Sequence, residues 1–156
     1  MKIVTGADFA GFDLKQVIKP YLEEKGIEVI DVGMHDLDHE IPYYEVAAKA
    51  ARTIQKGEAD KGVLFCGTGM GVSIVANKFK GIYASCVESE FGGQHCKVIN
   101  NANVITMGCW VFSPYRAKKT VDLWLESSFT EGYEQFADFL KGSIPEIEKI
   151  ENETMK

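Results

Sequence analysis

Cysteine is sparse in this chain and never paired at C-x-x-C spacing: Cys66, Cys86, Cys96 and Cys109 are its four thiols. That density excludes a disulfide-stapled scaffold, because 156 residues can bury a core without staples. Free thiols in a reducing cytoplasm are expected instead. Closely spaced metal ligands are lacking too. Only His95 and Cys96 adjoin, and neighbouring residues seldom both reach one ion, so no metal site is expected. Positive charge is in deficit, with a net charge of −6 and a pI near 5.1. This excludes the basic footprint of a nucleic-acid binder. No apolar run approaches the roughly 20 residues a membrane helix needs. The opening "MKIVTGADFAG" carries no signal-peptide core, so neither membrane insertion nor export is expected. Internal repeats, linkers and low-complexity tracts are also missing, which leaves one domain over 1–156.

What the chain has is alternation. "KIVTG" reads as a short apolar strand entering a turn. Leu14, Val17, Ile18, Tyr21 and Leu22 then recur at helical spacing, with Gly26 as C-cap and a kink expected at Pro20. "IEVIDVG" is a second strand, and Val46, Ala47, Ala50, Ala51 and Ile54 mark a second helix. "KGVLFCG", "IYASCV" and "NVITMG" read as three further strands, interleaved with helices over 71–79 and 89–99. Helices follow at about 114–126 and 131–141, and "SIPEIEKIENE" closes the chain with Ser143 and Glu146 at capping-box spacing. Strand and helix at this cadence predict parallel βαβ units with right-handed crossovers. The expected fold is α/β: a three-layer α/β/α sandwich around a Rossmann-like five-stranded parallel sheet, with C-terminal helices. Ligands in such sheets bind beyond the carboxyl ends of the strands. "GADFAG", "CGTGMG" and "MGCW" are therefore expected on one rim.

The stretch "LFCGTGMGVS" sets Cys66 ahead of three glycines, with no histidine or arginine beside it. A dinucleotide fingerprint needs its third glycine at position 72, which is Val72. The Lys-Ser/Thr ending of a P-loop is missing. So is the arginine that closes a cysteine-phosphatase loop; Val72 and Ser73 stand there instead. What remains is a thiol beside a small-residue loop, whose backbone N–H groups and following helix N-terminus favour an anion. Such a setting favours the thiolate. If Cys66 removes a proton from a carbon next to a carbonyl, the same amides can hold the enediolate oxygens. Proton transfer α to a carbonyl, as in aldose–ketose isomerisation, suits this loop. A buried strand-end cysteine ahead of a tight turn is the plain alternative.

Four ordered stretches, "GADFAGFDLK", "GIEVIDVG", "CGTGMGVSIVANK" and "NNANVITMG", resemble ribose-5-phosphate isomerase B and the galactose-6-phosphate isomerase subunits. The resemblance covers nearly the whole chain. It implies a cofactor-free, metal-free cytoplasmic enzyme, a homodimer or dimer of dimers with sites shared between subunits. The 143–153 segment would then pack on the partner. The resemblance implies Cys66 as the base carrying a proton between C1 and C2. Gly67, Gly69 and Gly71 form the anion hole, Thr68 helps move hydroxyl protons, and Asp8 contacts the ring oxygen or hydroxyls. Asn100, given by the partner subunit, binds hydroxyls near the reacting carbons. Tyr44 follows the family's Pro-x-Tyr and lines the pocket.

Several positions depart from the family's pentose phosphate members. Phe9 stands where they usually carry histidine, and Ile99 replaces a ring-opening histidine. Trp110 replaces an arginine past the fifth strand, and Tyr133 and Ala137 replace two later arginines. Each lost charge-assisted contact to a phosphate is typically worth about 1.5–3 kcal/mol. Phe9, Trp110 and Tyr133 are expected to form an aromatic wall instead. The expected activity is thus an aldose–ketose isomerase whose small sugar is already open-chain and is not a standard pentose 5-phosphate. One alternative is a ribose-5-phosphate or tetrulose phosphate isomerase with a rebuilt phosphate site, for which Lys97 and Arg116 are candidates. The other is a non-catalytic sugar-binding subunit. His95, one turn from Ile99, is a candidate replacement acid.

Overall fold

Long buried apolar runs set the centre of the sheet. The computed structural model describes residues 1–155. Its strands are β1 (Lys2–Ala7), β2 (Glu28–Asp31), β3 (Lys61–Cys66), β4 (Ala84–Cys86) and β5 (Val104–Gly108). All pair in parallel, in the order β2-β1-β3-β5-β4. The central strands β1, β3 and β5 are buried along nearly all their length. Helices cover both faces, which is why these strands read as continuous apolar runs and not as alternating ones.

The helices are α1 (Phe12–Glu24), α2 (Tyr43–Gln55), α3 (Met70–Ala76), α4 (Glu90–Val98), α5 (Pro114–Glu126) and α6 (Ala137–Thr154). One apolar core joins Leu14 and Ile18 of α1 to Phe65, Ile105 and Trp124. The other joins Ala47 and Ala50 of α2 to Leu64, Val72 and Val104. The three-layer sandwich is the one expected. Gly26 ends α1 with φ +77, and the amides of Gly26 and Ile27 return to the carbonyls of Glu23 and Leu22. This is the double bond pattern of a left-handed C-terminal cap.

The tail differs from expectation. In place of separate helices over 131–141 and 143–153, a single helix, α6, runs unbroken through Gly142, Ser143 and Pro145. Ser143 caps nothing; its hydroxyl donates to the Leu140 carbonyl at 2.7 Å. Proline removes one helical bond, to the carbonyl four residues back. For Pro145 that residue is Lys141, and for Pro20 in α1 it is Gln16, and both are exposed. Water can serve those carbonyls, so neither proline ends its helix.

Candidate active site

Strand order reverses between β1 and β3, and the crevice at that switch is where open parallel sheets bind ligands. Two loops leave the sheet there, one carrying Asp8 and one following Cys66. A side chain on Gly11 would meet the Phe65 carbonyl carbon at 2.5 Å and the Cys66 nitrogen at 2.7 Å. Glycine at this position lets the first loop lie directly on the end of β3. Asp8 caps the 3₁₀ turn Phe9–Gly11, its Oδ1 accepting the Gly11 amide at 3.0 Å. Burial pushes the Asp8 carboxyl above its ordinary range, with the Gly11 and Ala10 amides opposing.

Cys66 is the last residue of β3 and is 6% exposed. Its Sγ accepts the Gly69 amide at 3.1 Å. Gly69 has φ +81, and a Cβ there would lie 2.9 Å from the Met107 carbonyl carbon. The Gly69 carbonyl in turn accepts the buried Thr106 hydroxyl at 2.7 Å. The loop is thereby clamped on the end of β5 with its amide aimed at sulfur. Thr68 Oγ1 accepts the Met70 amide at 3.3 Å, leaving its own proton to donate elsewhere. Gly69 and Met70 thus use their amides within the loop. Gly71 lies in the first turn of α3, where amides have no partner inside the helix.

Aromatic rings flank this loop. The Trp110 indole lies over Gly67, its nearest carbon 2.8 Å from where a Cβ would stand, and the Trp110 amide donates to the Gly67 carbonyl at 3.0 Å. The Tyr43 ring lies over Gly71 in the same way, also at 2.8 Å. A cleft of about 440 Å³ opens between Asp8, Phe9, Glu40, Tyr43 and Tyr44. Asp8, Phe9 and Tyr44 therefore share one wall, and Tyr43 links it to the glycine loop. The sequence reading singled out Tyr44 and passed over Tyr43; the one signal available was Tyr43's place at the start of an amphipathic helix that opens on the rim.

The other expected residues lie elsewhere in the chain. Asn100 is exposed and borders a recess with Tyr83 and Ala84, where β4 begins. That is the end of the sheet opposite Cys66. Tyr133 meets His95 edge-on at 5.8 Å, and His95 stacks on Phe91 at 3.7 Å. Within one chain Tyr133 does not join Phe9 and Trp110. The His95 ring nitrogen Nδ1 lies 2.9 Å from the Phe91 carbonyl. Of the two candidate cations, Arg116 is committed to both oxygens of Glu90 at 3.1 and 3.2 Å. Lys97 donates to Asn101 Oδ1, and burial pushes its ammonium pKa down. Among the described residues no three His, Cys, Asp or Glu side chains gather to hold a metal. Among them, too, no helix is long and apolar enough to cross a membrane.

Comparison with known proteins extends this picture. Residues 3–137 match the family described as Ribose/Galactose Isomerase. The chain is 43% identical to a 4-deoxy-4-sulfo-D-erythrose isomerase of Clostridium sp. (strain MSTE9), over 97% of this chain and 96% of that one. It is 40% identical to a D-erythrulose-4-phosphate isomerase of Pectobacterium atrosepticum, over 96% and 93% of the two chains. Its fold superposes on ribose-5-phosphate isomerase B of Clostridium thermocellum with a TM-score of 0.89 at 34% identity, covering 98% of this chain and 99% of that one.

Proposed function

The chain belongs to the ribose/galactose isomerase family and is an aldose–ketose sugar isomerase, and on that premise we propose that its substrate is an open-chain four-carbon sugar ending in a sulfonate. The observation that carries the chemistry is the 3.1 Å hydrogen bond from the Gly69 amide to Cys66 Sγ, at the switch point of the sheet. An N–H donor supports the thiolate, which is the form that acts as a base. The thiolate takes the proton from C2 of the aldose, and the C2–H electrons form the C1–C2 double bond as the carbonyl electrons move onto O1. Loop amides, Gly71 among them, hold the enediolate oxygens. Thr68 passes a hydroxyl proton between O1 and O2, and Cys66 returns its proton to C1, giving the ketose. Asp8 receives the hydroxyls further along the chain.

The four-carbon length rests on two relatives that act on four-carbon sugars and on Ile99. A sugar whose C4 bears sulfur, or whose O4 bears a phosphate, lacks the hydroxyl that closes a five-membered ring. No ring has to be opened, so Ile99 in place of an acid carries no penalty. The sulfonate follows from charge. A phosphate monoester carries about −1.5 to −2 at neutral pH, whereas a sulfonate carries a single charge. Tyr133 and Ala137 offer no cation, and Arg116 is held by Glu90. D-erythrulose 4-phosphate is the second reading, supported by the Pectobacterium relative.

A second copy of the chain completes the site, because Asn100 lies at the far end of the sheet from its own Cys66. In that homodimer or dimer of dimers, α6 packs on the neighbour; Phe139, Ile147 and Ile150 are exposed along it. Free thiols suit a reducing cytoplasm. The test is a panel of kcat/KM values for 4-deoxy-4-sulfo-D-erythrose, D-erythrulose 4-phosphate and ribose 5-phosphate. The sulfonate is expected to lead ribose 5-phosphate by at least about tenfold, one missing charge-assisted contact being worth about 1.5–3 kcal/mol. Ribose 5-phosphate as the best of the three would overturn the proposal.

A further inference from the structure

Tyr43 stands beside the reacting loop, yet the proton-transfer steps do not use it. Its ring rests on Gly71, and the Trp110 indole rests on Gly67. The two glycines bracket the loop that would carry the enediolate. Neither ring is a loose surface side chain. The amides of Cys109 and Trp110 donate to the carbonyls of Cys66 and Gly67, each at 3.0 Å, which fixes the backbone under the indole. Tyr43 opens α2 and packs edge-on against Tyr44 at 5.5 Å and 79°. Both nevertheless keep an open face, Trp110 being 76% exposed and Tyr43 40%. An anchored aromatic ring with an unpartnered face beside a reaction site is suited to meet a ligand.

We propose that Tyr43 and Trp110 are the specificity-determining pair of this site: two aromatic jaws, at either end of the glycine loop, that admit an extended four-carbon chain and turn away a fifth carbon or a sugar ring. The inference rests on the four-carbon reading above and says what enforces it. An enediolate is planar at C1 and C2, so it lies flat on the loop amides. Tyr43 lines the cleft that holds Asp8, so carbon added beyond C4 on that side would pass its ring, and on the other side the Trp110 indole. Neither jaw offers a charged donor to repay that crowding, and each is rigid, with few rotatable bonds to swing aside.

The test compares kcat/KM for D-erythrulose 4-phosphate and ribose 5-phosphate in the wild type and in Tyr43→Phe, Tyr43→Ala and Trp110→Ala, with thermal melting of each variant. Trp110 is 76% exposed and Tyr43 40%, and neither belongs to the buried core, so the variants are expected to fold. In each alanine variant the preference for the four-carbon sugar is expected to shrink by about 10- to 200-fold, the usual range for pocket discrimination of one carbon. The change appears mainly in KM for the longer sugar. Tyr43→Phe keeps the ring and is expected to keep the wild-type ratio. Folded alanine variants with an unchanged ratio would overturn the jaws and leave the four-carbon reading standing. A wild type that prefers ribose 5-phosphate would overturn that reading and the jaws with it.

Discussion

Cys66 and Cys96 are buried to the same degree, 6% exposed each, in regions built for opposite ends. Cys66 ends a strand, and the group facing its sulfur is a donor, the Gly69 amide at 3.1 Å. Cys96 lies inside α4, where its thiol donates to the Gly93 carbonyl at 3.2 Å and the Ser85 side chain also bonds the sulfur. A donor supports the thiolate, whereas an acceptor supports the protonated thiol. Burial pushes the Cys96 thiol up to about 11, which keeps it protonated and inert. At equal exposure the two sulfurs thus face different surroundings. The glycine loop fixes the direction of the hydrogen bond at Cys66, as the proposed role of a base requires.

The comparison is broken most severely at Gly69. Gly69→Ala sets a side chain on a backbone with φ +81 and against the Met107 carbonyl carbon, turning the amide away from sulfur. A fall in kcat of about 10²-fold is expected, the low end of what a positioned general base supplies, and steady-state kinetics would show it. Thr106→Val acts one step further out. It strips the buried Gly69 carbonyl of its hydroxyl partner, and chemical denaturation is expected to show a loss of about 1–3 kcal/mol, with a smaller loss of rate than Gly69→Ala.

The same contrast explains what could be read from the chain. Buried central strands made "KGVLFCG" and "NVITMG" legible, and Gly26 took the left-handed cap its position called for. The loop after Cys66 was legible as a tight strand-to-helix turn because its glycines stand at Gly67, Gly69 and Gly71. Strand order was not, since the β1–β3 switch depends on crossovers that leave no local mark. The meeting of Tyr43 with Gly71 is another long-range event with no spacing to betray it. Tyr133, expected beside Phe9 and Trp110, lies with His95 instead, and Asn100, which the resemblance implies for the partner's site, lies away from its own Cys66; no spacing within one chain reports either placement. The tail failed for a local reason: Ser143 and Pro145 look like a helix start, but an exposed helix can lose one bond to water and continue.

Asp8 sharpens the comparison from the carboxylate side. Burial raises its pKa, so the fold favours its protonated form. That contribution is complete below the ordinary 3.8 and is lost as pH rises through the raised value. Asp8→Asn keeps an acceptor for the Gly11 amide without the titration. Melting curves across this range are expected to show wild type losing stability relative to the variant as pH rises, while the variant's activity stays low throughout. Cys96→Ala marks the smallest effect. It is expected to cost about 1 kcal/mol of stability and to leave kcat unchanged, since Cys96 holds no reacting proton.

The central claim is that Cys66, aimed by Gly69, carries the substrate proton. Incubation of a four-carbon substrate in D₂O, with deuterium at C1 and C2 followed by NMR, reads that proton directly. Wild type is expected to exchange it, and Cys66→Ala to exchange it about 10²–10⁴-fold more slowly while melting at nearly the wild-type temperature. Exchange by folded Cys66→Ala at the wild-type rate would contradict the account.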